Sequence, residues 1–255
     1  MLRIELEKVR TGGAADSKLT VGDYLDDWLK SRTSLRPTTK SSYAGHIKLY
    51  FKPHLGRIRL TSLRALDLDQ MYARIPLEKS TLSDTTVRLI HATLRNALNH
   101  AVKRRLINYN PADQVELRPA STQERPIWTP PQLALSLADS VSDRLGFAYR
   151  LIAMTGLRRG EALGLRWQDV DLDAGTIRIA QQLVDVDGQL HFGPTKTKKS
   201  ARTLAVDTGT SAAFRQHRTT QNRERLAWGS HTRTMILSLP ARMGRRFGPP
   251  PSPGT

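Results

Sequence analysis

Cysteine is missing from the 255-residue chain, which excludes a disulfide scaffold, thiolate catalysis and any cysteine-ligated zinc finger. Aromatic residues are scarce at 6%, and acids are outnumbered: 23 Asp and Glu against 40 Lys and Arg leave a formal net charge of +17. A shortage of negative charge on that scale calls for a polyanionic partner, with nucleic acid ahead of a membrane surface. Long apolar runs are also lacking, so no transmembrane helix is expected, and Met1-Leu2-Arg3-Ile4-Glu5-Leu6-Glu7 is not a signal peptide. Tyrosine runs out early: Tyr24, Tyr43, Tyr50, Tyr72, Tyr109 and Tyr149 are all there are. These shortages describe a cytoplasmic, nucleic-acid-facing globular protein.

What is present is unevenly spread. Residues 1–106 carry 20 basic and 10 acidic side chains and residues 196–255 carry 12 and 2, which suits a grip on a duplex from more than one side. A generally basic, solvated surface would give the same totals. Residues 19–106 read as helices. Thr20 caps a segment through Lys30 with Val21, Tyr24, Leu25, Trp28 and Leu29 at helical spacing. A second helix opens at Thr38 or Thr39 and runs to about Phe51, where Pro53-His54-Leu55-Gly56 breaks the chain. Leu66 to Ile75 is a short third. Ser83 begins a fourth, with Val87, Ile90, Leu94, Ala97, Leu98, Ala101 and Val102 on one face. Four such helices make a small bundle.

Residues 107–126 read as a linker, rich in proline and polar residues and without periodicity. A second domain is expected over 127–228. Helices at 130–141 and 142–154 precede Thr155-Gly156, and Arg159 to Trp167 starts another. The period then changes to two. Thr176 to Ile179, Leu183 to Val186, Gln189 to Phe192 and Thr203 to Val206 read as strands, with Asp187-Gly188 as a two-residue hairpin turn. Residues 208–228 return to a helical pattern. Residues 229–255 hold five prolines, four glycines, four arginines and no acid, and are expected to be disordered.

Two stretches carry chemistry. In Thr155-Gly156-Leu157-Arg158-Arg159-Gly160-Glu161, an arginine stands where a helix starts, its forked donors matched to phosphate oxygens, and Glu161 is three residues on to hold it. Spacing alone allows equally an arginine on a helix shoulder with a surface salt bridge. In Lys196-Thr197-Lys198-Lys199-Ser200-Ala201-Arg202, a lysine on a β-turn can enter the minor groove or donate a proton to a leaving oxygen, although most such clusters are simply basic turns.

Together these stretches, with Leu165-Arg166-Trp167 behind the first, resemble the phage integrase branch of the tyrosine recombinases. Thr20-Val21-Gly22-Asp23-Tyr24-Leu25, Pro53-His54-Leu55-Gly56 and Asn110-Pro111-Ala112 are similar to the core-binding domain of those integrases. The resemblance implies a mainly α fold: a helical core-binding (SAM-like) bundle, then an incomplete α+β catalytic domain with a three-stranded antiparallel sheet. It implies site-specific strand exchange on double-stranded DNA at attachment or crossover sites, through a 3′-phosphotyrosyl intermediate, with a homo-tetramer on DNA in intact members. No metal or cofactor is called for. On this mapping Arg158 clamps the scissile phosphate, Lys196 is the general acid and Glu161 supports Arg158. Expected DNA contacts are Lys40, Lys48, Arg88, Arg95, Lys103, Arg104, Lys198, Lys199 and Arg202. The implied setting is a bacterial or phage-encoded, nucleoid-associated protein.

The chain departs from the pattern in its last part. The family's His-x-x-Arg and the following tyrosine are absent: after Lys196 the histidines are His217 and His231, neither with Arg three positions on. Loss of the nucleophile alone lowers the rate about 10⁶-fold in other covalent enzymes. The reading is therefore a C-terminally truncated, DNA-binding but non-cleaving family member. The alternatives are a module that competes with an intact integrase for its sites, or a gene-decay product without a role. The bias of residues 229–255 suggests a shifted reading frame, and with about 19 residues before the bundle an arm-binding domain is not evident. Truncation should leave an apolar patch on the second domain. In limited proteolysis, 127–228 should be cut before the 20–106 bundle; the opposite order would overturn that expectation.

Overall fold

The computed structural model describes residues 18–78, 82–119, 126–143, 145–195 and 200–228. The chain divides into two compact units, the second opening at Pro126. Residues 229–255, expected to be disordered, lie outside the described residues.

The first unit is helical. Helix α1 (Val21–Ser31) is capped by the Thr20 hydroxyl, which accepts from the Asp23 N–H at 3.2 Å. Helix α2 (Pro37–His46) passes through a π turn, Ile47–Phe51, directly into α3 (Lys52–Leu55). The chain was expected to break over Pro53–Gly56; the helix passes Pro53 and ends inside that stretch, at Leu55 with Gly56 as its cap. In the wider turn the Lys52 N–H bonds back to the Ile47 carbonyl, which resets the carbonyl ladder just ahead of the proline ring. Helix α4 (Ala65–Glu78) likewise runs past Pro76, beyond the expected end at Ile75.

Helix α5 (Asp84–Lys103) starts at Ser83, whose hydroxyl accepts from the Thr86 N–H at 3.3 Å. Its apolar face is buried at Val87, Ile90, Leu94, Ala97, Leu98 and Ala101, as the spacing predicted, while Val102 is only half-buried. The Tyr24 hydroxyl donates to the Ala97 carbonyl at 2.6 Å, tying α1 to α5 inside the core.

The expected linker is in part a piece of this unit. Asn110 is buried; its amide donates to the Arg95 carbonyl at 3.1 Å and to Asn99 Oδ1 at 2.8 Å, and its Oδ1 accepts from the Ala112 N–H. A short 3₁₀ turn, Pro111–Gln114, follows, and Ala112, Val115 and Leu117 pack on the core. Side-chain hydrogen bonding across the fold is a tertiary effect that periodicity does not register.

The second unit is α+β. Helices α6 (Pro130–Asp139) and α7 (Gly146–Thr155) precede the short α8 (Arg159–Leu163), and α9 (Thr208–Trp228) closes the unit. The three-stranded antiparallel sheet is present, but its members differ from those expected. It is built from β1 (Val170–Asp171), β2 (Thr176–Ile179) and β5 (Arg202–Ala205), in the order β1-β2-β5, with Ile177 opposite Leu204 and Ile179 opposite Arg202. The hairpin of β3 (Gln181–Val186) and β4 (Gln189–Pro194) forms a separate ribbon around Asp187-Gly188, both with positive φ. Local turn chemistry fixes a hairpin, whereas a two-residue strand such as β1 leaves no period to read.

The two cores are unequal. Among the described residues, 21 buried hydrophobic side chains form the first and nine the second. Phe214 is fully buried, edge-on to Phe147 at 4.8 Å and to Trp167 at 6.1 Å. Phe214→Ala should cost about 3–5 kcal/mol and Leu94→Ala about 2–5 kcal/mol. Urea unfolding followed by hydrogen exchange should show the first loss in residues 126–228 and the second in residues 18–119.

Candidate nucleic-acid interface

The site in the second unit is built where α7 ends. Gly156 adopts φ 65°, the left-handed conformation that glycine takes without a Cβ clash, and so turns the chain out of α7. Leu157 is buried, which anchors the turn and sets Arg158 in extended backbone at the first position before α8. Gly160 and Gly164 let α8 lie directly on the hairpin. A Cβ at Gly160 would stand 2.7 Å from the Leu183 carbonyl oxygen, and one at Gly164 2.7 Å from the Gln182 Cα.

Glu161 points inward and is 2% exposed. Its carboxylate accepts from four donors. The Arg158 backbone N–H reaches Oε2 at 3.2 Å and the Arg158 Nη1 reaches Oε1 at 3.2 Å. Arg202, arriving from β5, reaches Oε2 through Nη2 at 3.0 Å and Oε1 through Nη1 at 3.4 Å. Burial pushes the Glu161 carboxyl up, and the hydrogen bonds and charge of Arg202 with the donors of Arg158 outweigh it, so the group sits below its ordinary range. One anion thus serves two cations. Arg158 remains 71% exposed at its side chain while Arg202 is 30% exposed, so the uncompensated positive charge is presented by Arg158.

Behind this group Trp167 donates from Nε1 to Gln221 at 2.7 Å, and the Arg218 guanidinium lies 5.2 Å over its ring, which ties α9 to the motif. Arg166 forks onto Asp169 at 2.5 and 3.1 Å.

The expected residues separate into groups. Arg158 and Glu161 are brought together. Arg202, expected on DNA, turns instead onto Glu161 and the Ser200 carbonyl. Lys196, Lys198 and Lys199 lie outside the described residues. In the first unit Lys40, Lys48, Lys103 and Arg104 are exposed. Arg88 donates to the Arg118 and Leu117 carbonyls, with its shortest bond at 2.7 Å, and Arg95 pairs with Asp113 at 2.5 Å. Both hold the 110–118 segment in place, a structural use that a basic residue on a helix face does not advertise.

One cationic cluster was not read from the sequence. Arg32 Nη1 lies 3.0 Å from His100 Nε2, and Lys103 and Arg104 are close enough to act on the same ring. A guanidinium only donates, so this ring nitrogen accepts and the proton sits on Nδ1. Burial, then Arg32, Lys103 and Arg104, lower the His100 pKa. The spacing of His100, Lys103 and Arg104 on one helix was the available signal; Arg32 comes from another helix and gave none.

The helical unit is thus followed by an α+β unit whose short helix starts at a carboxylate-anchored arginine. Residues 133–237 match the family model described as "Phage integrase family", and residues 20–75 match "Phage integrase, N-terminal SAM-like domain". The chain belongs to the phage integrase family of tyrosine recombinases. The first match runs past Trp228 to residue 237, into the stretch whose composition suggested a shifted reading frame.

Among curated relatives, a "Tyrosine recombinase XerC-like" protein of Caldanaerobacter subterraneus subsp. tengcongensis is 27% identical over 88% of this chain and 62% of its own length. The integrase of Mycobacterium phage L5 is 28% identical over 82% of this chain and 55% of its own. The chain therefore spans between about half and three fifths of the length of these relatives. Of solved structures, the Tn1549 transposon integrase with a circular intermediate DNA superposes with a TM-score of 0.69 at 21% identity, covering 79% of this chain and 65% of that one. A lambda integrase tetramer on a Holliday junction gives 0.57 at 21% identity, covering 79% and 54%. These likenesses establish the fold. Among the described residues no helix is long and apolar enough to cross a membrane, and no group of His, Cys, Asp and Glu could hold a metal ion.

The depressed Glu161 pKa has a signed consequence. The folded state holds the ionised form more tightly than the unfolded chain does, so its contribution is complete above the ordinary Glu pKa and is lost as pH falls through and below that value. Thermal melts of the full chain from neutral pH to roughly pH 3.5 should show an acid limb in the second unit that Glu161→Gln flattens.

Proposed function

We propose that this chain is a double-stranded-DNA-binding member of the integrase family, which engages attachment- or crossover-type sites with both units and, as these 255 residues, does not cleave them. The observation that carries the reading is the exposed Arg158 held at a helix start by a buried, ionised Glu161, a cation aimed by a fixed anion and left free to meet a phosphate. The exposed cations Lys40, Lys48, Lys103 and Arg104 on the first unit and the net charge of +17 supply the sequence-independent part of the affinity.

Arg158 is the phosphate clamp, Glu161 orients it, and Lys196 is the proton donor by position in the family motif. The second half of that chemistry has no bearer here. All six tyrosines lie at or before residue 149, ahead of Arg158 in the chain, and no His-x-x-Arg follows residue 196. Strand exchange needs a covalent nucleophile to conserve the phosphodiester energy, so these 255 residues by themselves are expected to bind without transferring a strand. A chain that occupies a site without cutting it competes there with a complete integrase, and its setting is wherever such DNA lies, beside the bacterial nucleoid.

The test uses a fluorescent half-site duplex and a nicked suicide version of it. Binding should weaken steeply with salt, and Arg158→Ala should reduce the slope of log affinity against log salt by about one. No covalent protein–DNA adduct should form on the nicked duplex. A stable adduct would sink the non-cleaving reading, and salt-independent or absent binding would sink the DNA reading itself.

A further inference from the structure

We infer that Arg202 is a positioning residue: by occupying the Glu161 carboxylate from β5, it keeps that anion from capturing Arg158, and so sets how much of Arg158 is available to a phosphate. The inference deepens the DNA-binding reading for its functional meaning, but the capture itself is a property of the chain alone.

The argument is one of charge and geometry. The buried group holds one carboxylate and two guanidiniums, a net charge of +1. Arg202 takes both oxygens, at 3.0 and 3.4 Å, and its Nη1 also donates to the Ser200 carbonyl at 3.0 Å, which fixes the plane of its fork. Arg158 is left with a single side-chain bond, Nη1 to Oε1 at 3.2 Å. Among the described residues this is its one committed side-chain donor, and the rest of the guanidinium faces solvent.

A carboxylate that is 2% exposed does not stay unpaired, since burying an uncompensated charge is costly. With Arg202 removed, the nearest cation is Arg158, already bonded to Glu161 through its backbone N–H and Nη1. Folding it into a bidentate pair would satisfy the anion and bring the net charge of the group to zero. Arg202 thus acts on the phosphate site without touching the phosphate.

The experiment compares the full chain with Arg202→Met, Arg202→Lys and the double variant Glu161→Gln/Arg202→Met. Phenylglyoxal labelling of Arg158, read by mass spectrometry in the absence of DNA, reports capture. Affinity for the half-site duplex and its salt slope report the consequence. In Arg202→Met the labelling of Arg158 should slow several-fold and the salt slope fall by about one, as in Arg158→Ala. Arg202→Lys restores the cation, and the double variant removes the anion along with it. Both return the group to +1 and both should recover labelling, and Arg202→Lys, which keeps Glu161 to orient Arg158, should also recover the slope.

A thermal melt on each variant confirms that the second unit folds, and if Arg202→Met does not fold, Arg202→Gln, which keeps a hydrogen-bond donor for the carboxylate but not the charge, carries the same test with the same expected slowing of Arg158 labelling. Unchanged labelling in a folded Arg202→Met protein overturns the inference. So does a double variant whose Arg158 labelling stays slow, and a lowered slope with unchanged labelling is the result expected if Arg202 itself contacted DNA. If labelling follows the predicted pattern while the unmodified chain binds no duplex, the capture stands and the DNA reading fails.

Discussion

A carboxylate almost sealed from water, shared between two guanidiniums from different elements, is the constraint on which the second unit turns. Glu161 bonds to the backbone and side chain of Arg158 at the head of α8 and to both Nη atoms of Arg202 on β5. Burial of such a group is unfavourable until it is paired, so the helix start and the strand must both be in place for either to be stable there. The glycines at 160 and 164 bring α8 onto the hairpin, and the left-handed Gly156 delivers the chain to it. Local backbone choices thus converge on one anion, and the site exists because the anion is satisfied.

The first unit works differently. Its core is larger, and its polar residues mainly lock the surface segments to that core: Asn110 fastens the segment after α5, and Arg88 and Arg95 hold the stretch from 113 to 118. The cations left at the surface stand on a stiff support. His100 sits among Arg32, Lys103 and Arg104 with its Nε2 accepting, so the ring adds a polar joint to that end of the bundle without adding charge.

Much of this was legible in the chain itself, and the reasons differ by feature. The buried face of α5 follows from 3.6-residue spacing over five turns, and the Asp187-Gly188 hairpin from the two positive φ angles those residues tolerate. Arg158 and Glu161 are neighbours three apart on a helix start, a separation that geometry converts directly into contact. What escaped was non-local. The sheet's first strand is two residues long and is defined by its partner, and the chain passes Pro53 because a π turn precedes it. Arg202 was seen as a basic residue in a basic turn, and a guanidinium reads identically in sequence whether it meets a carboxylate inside or an anion outside.

The close approach at Gly160 and Gly164 has a mechanical consequence. With the Gly160 and Gly164 backbone set against the main chain of Leu183 and Gln182, and the Gln181 side-chain amide donating to the Gly164 carbonyl at 2.9 Å, the ribbon and the helix meet with little space to spare. The outer strand, where Leu190 and Phe192 stand exposed, is therefore joined to the start of α8 by backbone contact as well as by packing, and any residue larger than glycine at 160 or 164 would force that junction apart.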